Sequence, residues 1–162
     1  MGSRLKIFVR GLAVAACTGL VLPGVALAVT GTYNGMTPQG NTCRQNLTSP
    51  CAVRIRVVRN FVKASPSDIL WHARCRSGGA LTGDSRPHGR LKKGRLDVRT
   101  VLSSHGTTPD GSAISVRETV TILLAITGRQ ATGTLVARDT LLSGSTVIDH
   151  CATGPITFVA RR

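Results

Sequence analysis

The sequence predicts an all-β fold, an antiparallel β-sandwich or flattened barrel of about seven strands, placed after an N-terminal signal helix. Three observations predict it. Beyond residue 28 the apolar residues recur with period two, β-branched residues dominate the apolar runs, and turns rich in Gly, Pro and Asp separate them. Strands with one apolar face bury it when two layers face each other or when one sheet closes on itself.

The first 28 residues read as an export signal. Basic Arg4, Lys6 and Arg10 precede an apolar run over 11–28 that ends on Ala26-Leu27-Ala28, a small-x-small cleavage site. Cleavage after Ala28 leaves residues 29–162 as a single domain, long enough to bury roughly two thirds of its unfolded surface. Val14-Ala15-Ala16-Cys17 competes as a lipoprotein box with a lipidated Cys17, but only about six apolar residues lie between Arg10 and Cys17, short for a signal. An uncleaved anchor is the third option, and Gly19, Pro23 and Gly24 interrupt it. The expected location is secreted or cell-envelope associated, with no integral membrane span in the mature form.

Gly31-Thr32-Tyr33 follows soon after the cleavage site, and the first clear strand comes at Val53, Ile55 and Val57, which share one face while Arg54 and Arg56 share the other. A second has Ile69, Trp71, Ala73 and Cys75 alternating with Leu70, His72, Arg74 and Arg76. After a Gly-rich, basic stretch over 77–94, a third alternates Leu96, Val98, Thr100 and Leu102 with Arg95, Asp97, Arg99 and Val101. Thr107-Thr108-Pro109-Asp110-Gly111-Ser112 then has the chemistry of a hairpin turn.

The segment 114–126 is the longest apolar one. Ile114, Val116, Val120, Ile122, Leu124 and Ile126 share a face, and Glu118 falls among them, so a bulge, a bend or a partner is expected there. Gly128 breaks the pattern, 131–138 resumes it, and Ile156-Thr157-Phe158-Val159-Ala160 closes the chain.

Three segments, Gly31-Thr32-Tyr33-Asn34-Gly35-Met36-Thr37, Ala131-Thr132-Gly133-Thr134-Leu135 and Cys151-Ala152-Thr153-Gly154-Pro155-Ile156-Thr157-Phe158, resemble small exported β-sandwich proteins of actinobacteria and related GC-rich bacteria. The resemblance covers most of the mature chain. It implies that Cys75 pairs with Cys151, and it supplies no activity or ligand. Leu96 stands where the pattern has an aromatic residue, and Cys43 with Cys51 looks additional.

Export removes Cys17 and leaves Cys43, Cys51, Cys75 and Cys151 in an oxidising compartment, where four cysteines allow three connectivities. Cys43 and Cys51 bracket Asn46, Thr48, Ser49 and Pro50, a loop too polar to pack by itself, so a local bridge is the economical choice. It stabilises by about 2.6 kcal/mol on chain entropy, against about 4.5 kcal/mol for a bridge between Cys75 and Cys151. No C-x-x-C or H-x-x-x-H spacing suggests a metal, and no cofactor is expected.

The full chain carries 21 basic and seven acidic residues; removing the three basic residues of the signal leaves 18 against seven, or +11. Such a balance suits a polyanionic partner, an anionic envelope polymer, nucleic acid or lipid head groups, although solvated Arg on β-surfaces accounts for much of it. The best candidate groups are Arg54, Arg56 and Arg59 on one strand, and Arg86, Arg90, Lys92, Lys93 and Arg95 in the Gly-rich stretch. Tyr33, Phe61, Trp71 and Phe158, the aromatics of the mature chain, read as core, which argues against base stacking or a carbohydrate groove.

Catalytic signals are thin. There is no G-x-S-x-G elbow, the histidines His72, His88, His105 and His150 are dispersed, and no two acids lie within three residues of each other. If Cys75 bonds Cys151, His72 and His150 are expected as cross-strand neighbours. The expected role is a non-catalytic binding or envelope-associated structural module; the alternative is a polyanion-binding protein that uses the Arg/Lys clusters, and the third reading is a hydrolase with a dispersed site; a monomer is expected.

Overall fold

The computed structural model describes residues 28–40, 42–45, 51–107 and 111–162; the signal, Cys17, most of the polar loop before Cys51 and the tip of the 107–112 turn lie outside the described residues. Among the described residues the chain is almost all strand: β1 Gly31–Met36, β2 Ala52–Val58, β3 Phe61–Cys75, β4 Ala80–Ser85, β5 Gly89–Arg90, β6 Arg95–Thr107, β7 Ala113–Thr127, β8 Gln130–Ser143, β9 Thr146–Ala152 and β10 Ile156–Arg161, with a 3-10 turn at Thr42–Gln45. No helix among them is long and apolar enough to cross a membrane.

All pairings are antiparallel. The hydrogen-bonded order β10-β1-β2-β3-β9-β8 returns to its start because β10 also pairs with β8, giving a six-stranded closed barrel. The remaining strands are extensions: β7 and β6 continue outward from β8, and β4 and β5 pair with β3. Closure of the sheet decides for the barrel over the sandwich, and ten strands rather than about seven is the point where the architecture exceeds the sequence expectation.

The core follows from the period-two patterns. Tyr33, Val53, Ile55, Val57, Val62, Ile69, Trp71, Ala73, Val120, Ile122, Leu124, Leu135, Ile156 and Phe158 belong to one buried cluster, while Arg54, Arg56 and Arg74 on alternate positions are exposed. Two glycines permit close packing: a side chain at Gly83 would run into the Trp71 ring, and one at Gly133 into the Phe158 ring. The Trp71 indole donates to Ser85 Oγ at 2.9 Å, so the largest core side chain is also satisfied as a donor.

Turn chemistry sets the hairpins. Arg59 and Asn60 both have positive φ, the two-residue geometry that follows strand twist, and Asn60 exchanges bonds with Val29, its Oδ1 accepting from the Val29 N–H at 2.5 Å and its own N–H donating to the Val29 carbonyl at 2.9 Å. Between Arg54 and Arg56 the β2–β3 register shifts, so a bulge on β3 carries the cis Ser65–Pro66 peptide; buried Ser67 Oγ there accepts from the Arg56 N–H at 2.8 Å.

Both disulfides are present. Cys75 and Cys151 are register partners, and β3 meets β9 through only two such pairs, the other being Arg74 with Ala152. The bridge therefore clamps the shortest junction of the barrel. Cys43–Cys51 lies outside the wall, where both cysteines and Leu70, an outward residue of β3, form a second small buried cluster. Beside it the Gln39 side chain donates to the His72 carbonyl at 2.6 Å and accepts from the His72 N–H at 2.9 Å, imitating a strand partner.

Candidate functional site

The expected basic residues divide among three places. Arg54 and Arg56 project outward from β2: Arg54 stands opposite Asn34 of β1 and Asp68 of β3, and Asn34 stands opposite Arg161 of β10. One row along, Arg56 lies between Thr32 of β1, to whose Oγ1 it donates at 2.9 Å, and Lys63 of β3. Arg59 tips the adjoining hairpin, and Arg90 of β5 is the register partner of Phe61. Arg54, Arg56, Arg59, Lys63, Arg90 and Arg161 are all exposed, and they make a continuous basic wall.

Phe61 belongs to this wall rather than to the core. It is 37% exposed, and Lys63 Nζ lies 5.0 Å from its ring centroid, so the expectation that all four aromatics are core holds for Tyr33, Trp71 and Phe158 only.

Arg86, Lys92, Lys93 and Arg95 do not join it as one cluster. Lys93 has positive φ in the tight turn closed by the Lys92–Arg95 bridge, followed by Gly94. Lys92 and Arg95 edge an outer groove of about 760 Å³ floored by Leu123, Phe158 and Val159. Arg86 turns the other way and pairs with Asp84 at 3.0 Å, the single ion pair among the described residues. The sequence cluster is split because β5 pairs with β3 while β6 pairs with β7.

A second feature lies where the β4–β5 connection faces β6 and β7. There a cleft of about 470 Å³ has apolar walls from Ala64, Pro87, Val98, Leu102, Val120 and Ile122, with Asp84, Arg86, His88 and Glu118 as its charged or titratable groups. Glu118 enters it without a bulge, since both ladders of β7 run regularly through this position, opposite Leu102 on one side and Asp139 on the other. The expected irregularity is replaced by a like-charged neighbour.

Asp139 is 2% exposed, and neither of its carboxylate oxygens has a hydrogen-bond partner; Glu118 Oε1 is likewise buried and unpartnered. Burial first, then the charges of Asp139 and Asp84, push the Glu118 carboxyl up to about 7, and burial pushes Asp139 up to about 6. Asp68 is also raised, by burial above all, with Arg54 acting against it and Asp84 adding to it. Acids far apart in sequence thus gather here, and no local spacing signalled it; the one legible sign was Glu118 on an otherwise apolar face.

The expected neighbourhood of His72 and His150 does not form. With Cys75 opposite Cys151, His150 lies level with Arg76, whose N–H donates to the His150 carbonyl at 3.0 Å, while the His72 ring lies 3.4 Å from Thr82 Oγ1. Asp149 lies near the sulfurs of Cys75 and Cys151, but those sulfurs are bonded to each other and are not thiolate ligands. Asp149 is held below the usual carboxylate range by a hydrogen bond from Ser77 Oγ at 2.5 Å.

Comparison of the chain with protein-family models, curated proteins and solved structures finds no match.

Proposed function

We propose that this chain is an exported, non-catalytic binding module whose basic wall holds an anionic polymer of the cell envelope. The observation that carries the reading is the register across β10, β1, β2 and β3: it stacks Arg161, Arg54, Arg56 and Lys63 on one exposed face, where Asp68 is the acid facing them. A strand presents alternate side chains at roughly 6.5–7 Å intervals and neighbouring strands lie about 4.8 Å apart, so the wall offers a two-dimensional array of cations to a repeating anion. Export is supported by the N-terminal signal pattern and by two disulfides, which persist in oxidising compartments. A binding rather than catalytic role rests on the sequence, in which no G-x-S-x-G elbow occurs and the histidines are dispersed.

The test is salt-dependent binding to a short DNA duplex, used as a polyanion of known charge spacing. Arg54→Ala with Arg56→Ala should lower the slope of log K against log salt by about two, one for each phosphate contact removed. Arg117→Ala with Arg138→Ala, on exposed positions of β7 and β8, serves as the control. Equal slopes for both double variants would refute the assignment of the wall.

A further inference from the structure

We propose that the cleft between the β4–β5 connection and the β6–β7 hairpin is a second binding site, which takes an organic cation with an apolar body and places its ammonium group at Glu118. The proposal is independent of the basic wall, which shares strand β3 with the cleft but none of its lining residues.

Charge identifies the ligand class. The groups facing Glu118 are Asp139 from β8 and Asp84, Arg86 and His88 from the β4–β5 side, while β6 contributes Val98, Thr100 and Leu102 and no charge. Arg86 is committed to Asp84 at 3.0 Å. Of the acids at this cleft, Glu118 and Asp139 are then the ones without a counter-ion, in a chain whose formal charge is +14. An anion is repelled by both carboxylates.

Burial supplies the second argument. Asp139, 2% exposed, keeps two unbonded carboxylate oxygens directly behind Glu118 on the inner face of the sheet. Buried polar groups of this kind are costly unless a partner arrives, and a donor carrying positive charge satisfies Glu118 while the charge of Asp139 strengthens the attraction. Burial above all, and then the charge of Asp139, raises the Glu118 carboxyl.

Shape completes the case. Val98, Leu102, Val120 and Ile122 give the cleft walls that suit a hydrocarbon body, and its volume of about 470 Å³ lies in the range of small-molecule sites. A hydrated metal dication leaves those walls unused.

The experiment is an NMR titration of the oxidised protein with cyclohexylmethylamine, with its isosteric alcohol cyclohexylmethanol, and with calcium chloride. The amine should bind about tenfold more tightly than the alcohol, the margin of a charge-assisted hydrogen bond, and shift the resonances of Val98, Val120 and Ile122. Glu118→Gln should remove that tenfold preference while leaving the alcohol unchanged; Asp139→Asn should reduce it about threefold, since Asp139 acts through space. Both replacements lighten a burden on the fold, so loss of structure is not the expected cause. Equal binding of amine and alcohol, an unchanged preference in Glu118→Gln, shifts confined to the Leu123–Phe158–Val159 groove, or binding of calcium in place of the amine would each overturn the proposal.

Discussion

The inner face of the β7–β8 pair changes character along its length. Toward the β7–β8 turn, Ile122 faces Leu135 and Ile126 faces Ala131, all buried in the common core. Two positions beyond the Val120–Ala137 pair the same face presents Glu118 opposite Asp139. Strand geometry is the same at both ends, so the difference lies wholly in what is buried. The apolar end gains free energy from removing hydrocarbon from water, and the acidic end loses free energy by holding two carboxyls away from it. The acidic end is also where the covalent clamp sits, since Asp139 is the register partner of Cys151, itself bonded to Cys75. A sheet that is penalised at one end is cross-linked at that end.

Removing the clamp is the strongest way to break this contrast. Cys75→Ser with Cys151→Ser should destabilise by about 4.5 kcal/mol in urea unfolding, against about 2.6 kcal/mol for Cys43→Ser with Cys51→Ser, because the first bridge closes the longer loop. Equal costs would show that the acidic end does not depend on its bridge more than the outer loop depends on its own.

A smaller effect separates the two ends directly. Leu135→Ala should cost about 3 kcal/mol at every pH, as truncation of a fully buried leucine does.

The acidic end responds to pH with the opposite sign. Both carboxyls bind their proton more tightly in the folded chain than in the unfolded one. Their contribution is therefore favourable in acid and is lost as pH rises, from 4.5 to about 7 for Glu118 and from 3.8 to about 6 for Asp139. Glu118→Gln and Asp139→Asn should each raise stability at pH 8 by about 2 kcal/mol and change little at pH 4. Parallel pH profiles for parent and variants would show that the pair carries no penalty.

The least effect on stability is expected at the basic wall. Arg54→Ala with Arg56→Ala should alter unfolding free energy by no more than about 0.5 kcal/mol per site, because both side chains are exposed and Arg56 donates to the Thr32 hydroxyl. The wall and the cleft thus differ in kind: charge on the exposed outer face is inexpensive, and charge buried on the inner face of the sheet is not.

Much of the fold was legible in the residues, and the exceptions have physical causes. The alternation around Ile55, Trp71 and Val98 marked real strands because period two is a local property. Strand β4 was not expected because Ala-Leu-Thr-Gly-Asp-Ser has no apolar alternation; it forms because β3 offers it an edge and Trp71 covers Gly83. Strand β9 was hidden by adjacent Val147 and Ile148, about half exposed each, which follow neither period. The basic wall was partly legible: Arg54, Arg56, Arg59 and Arg90 were marked, though Arg90 in a different cluster, and Lys63 and Arg161 reach it only through pairing.

What the sequence alone determined is which way each strand faces and where the chain turns, since side-chain alternation and the positive φ of Asn60 or Gly94 act within a few residues. The tertiary structure decided who stands beside whom. Glu118 meets Asp139, Cys75 meets Cys151, and Arg161 and Lys63 join Arg54 and Arg56 on one face, because register between strands is fixed by packing over the whole barrel and not by any segment of it.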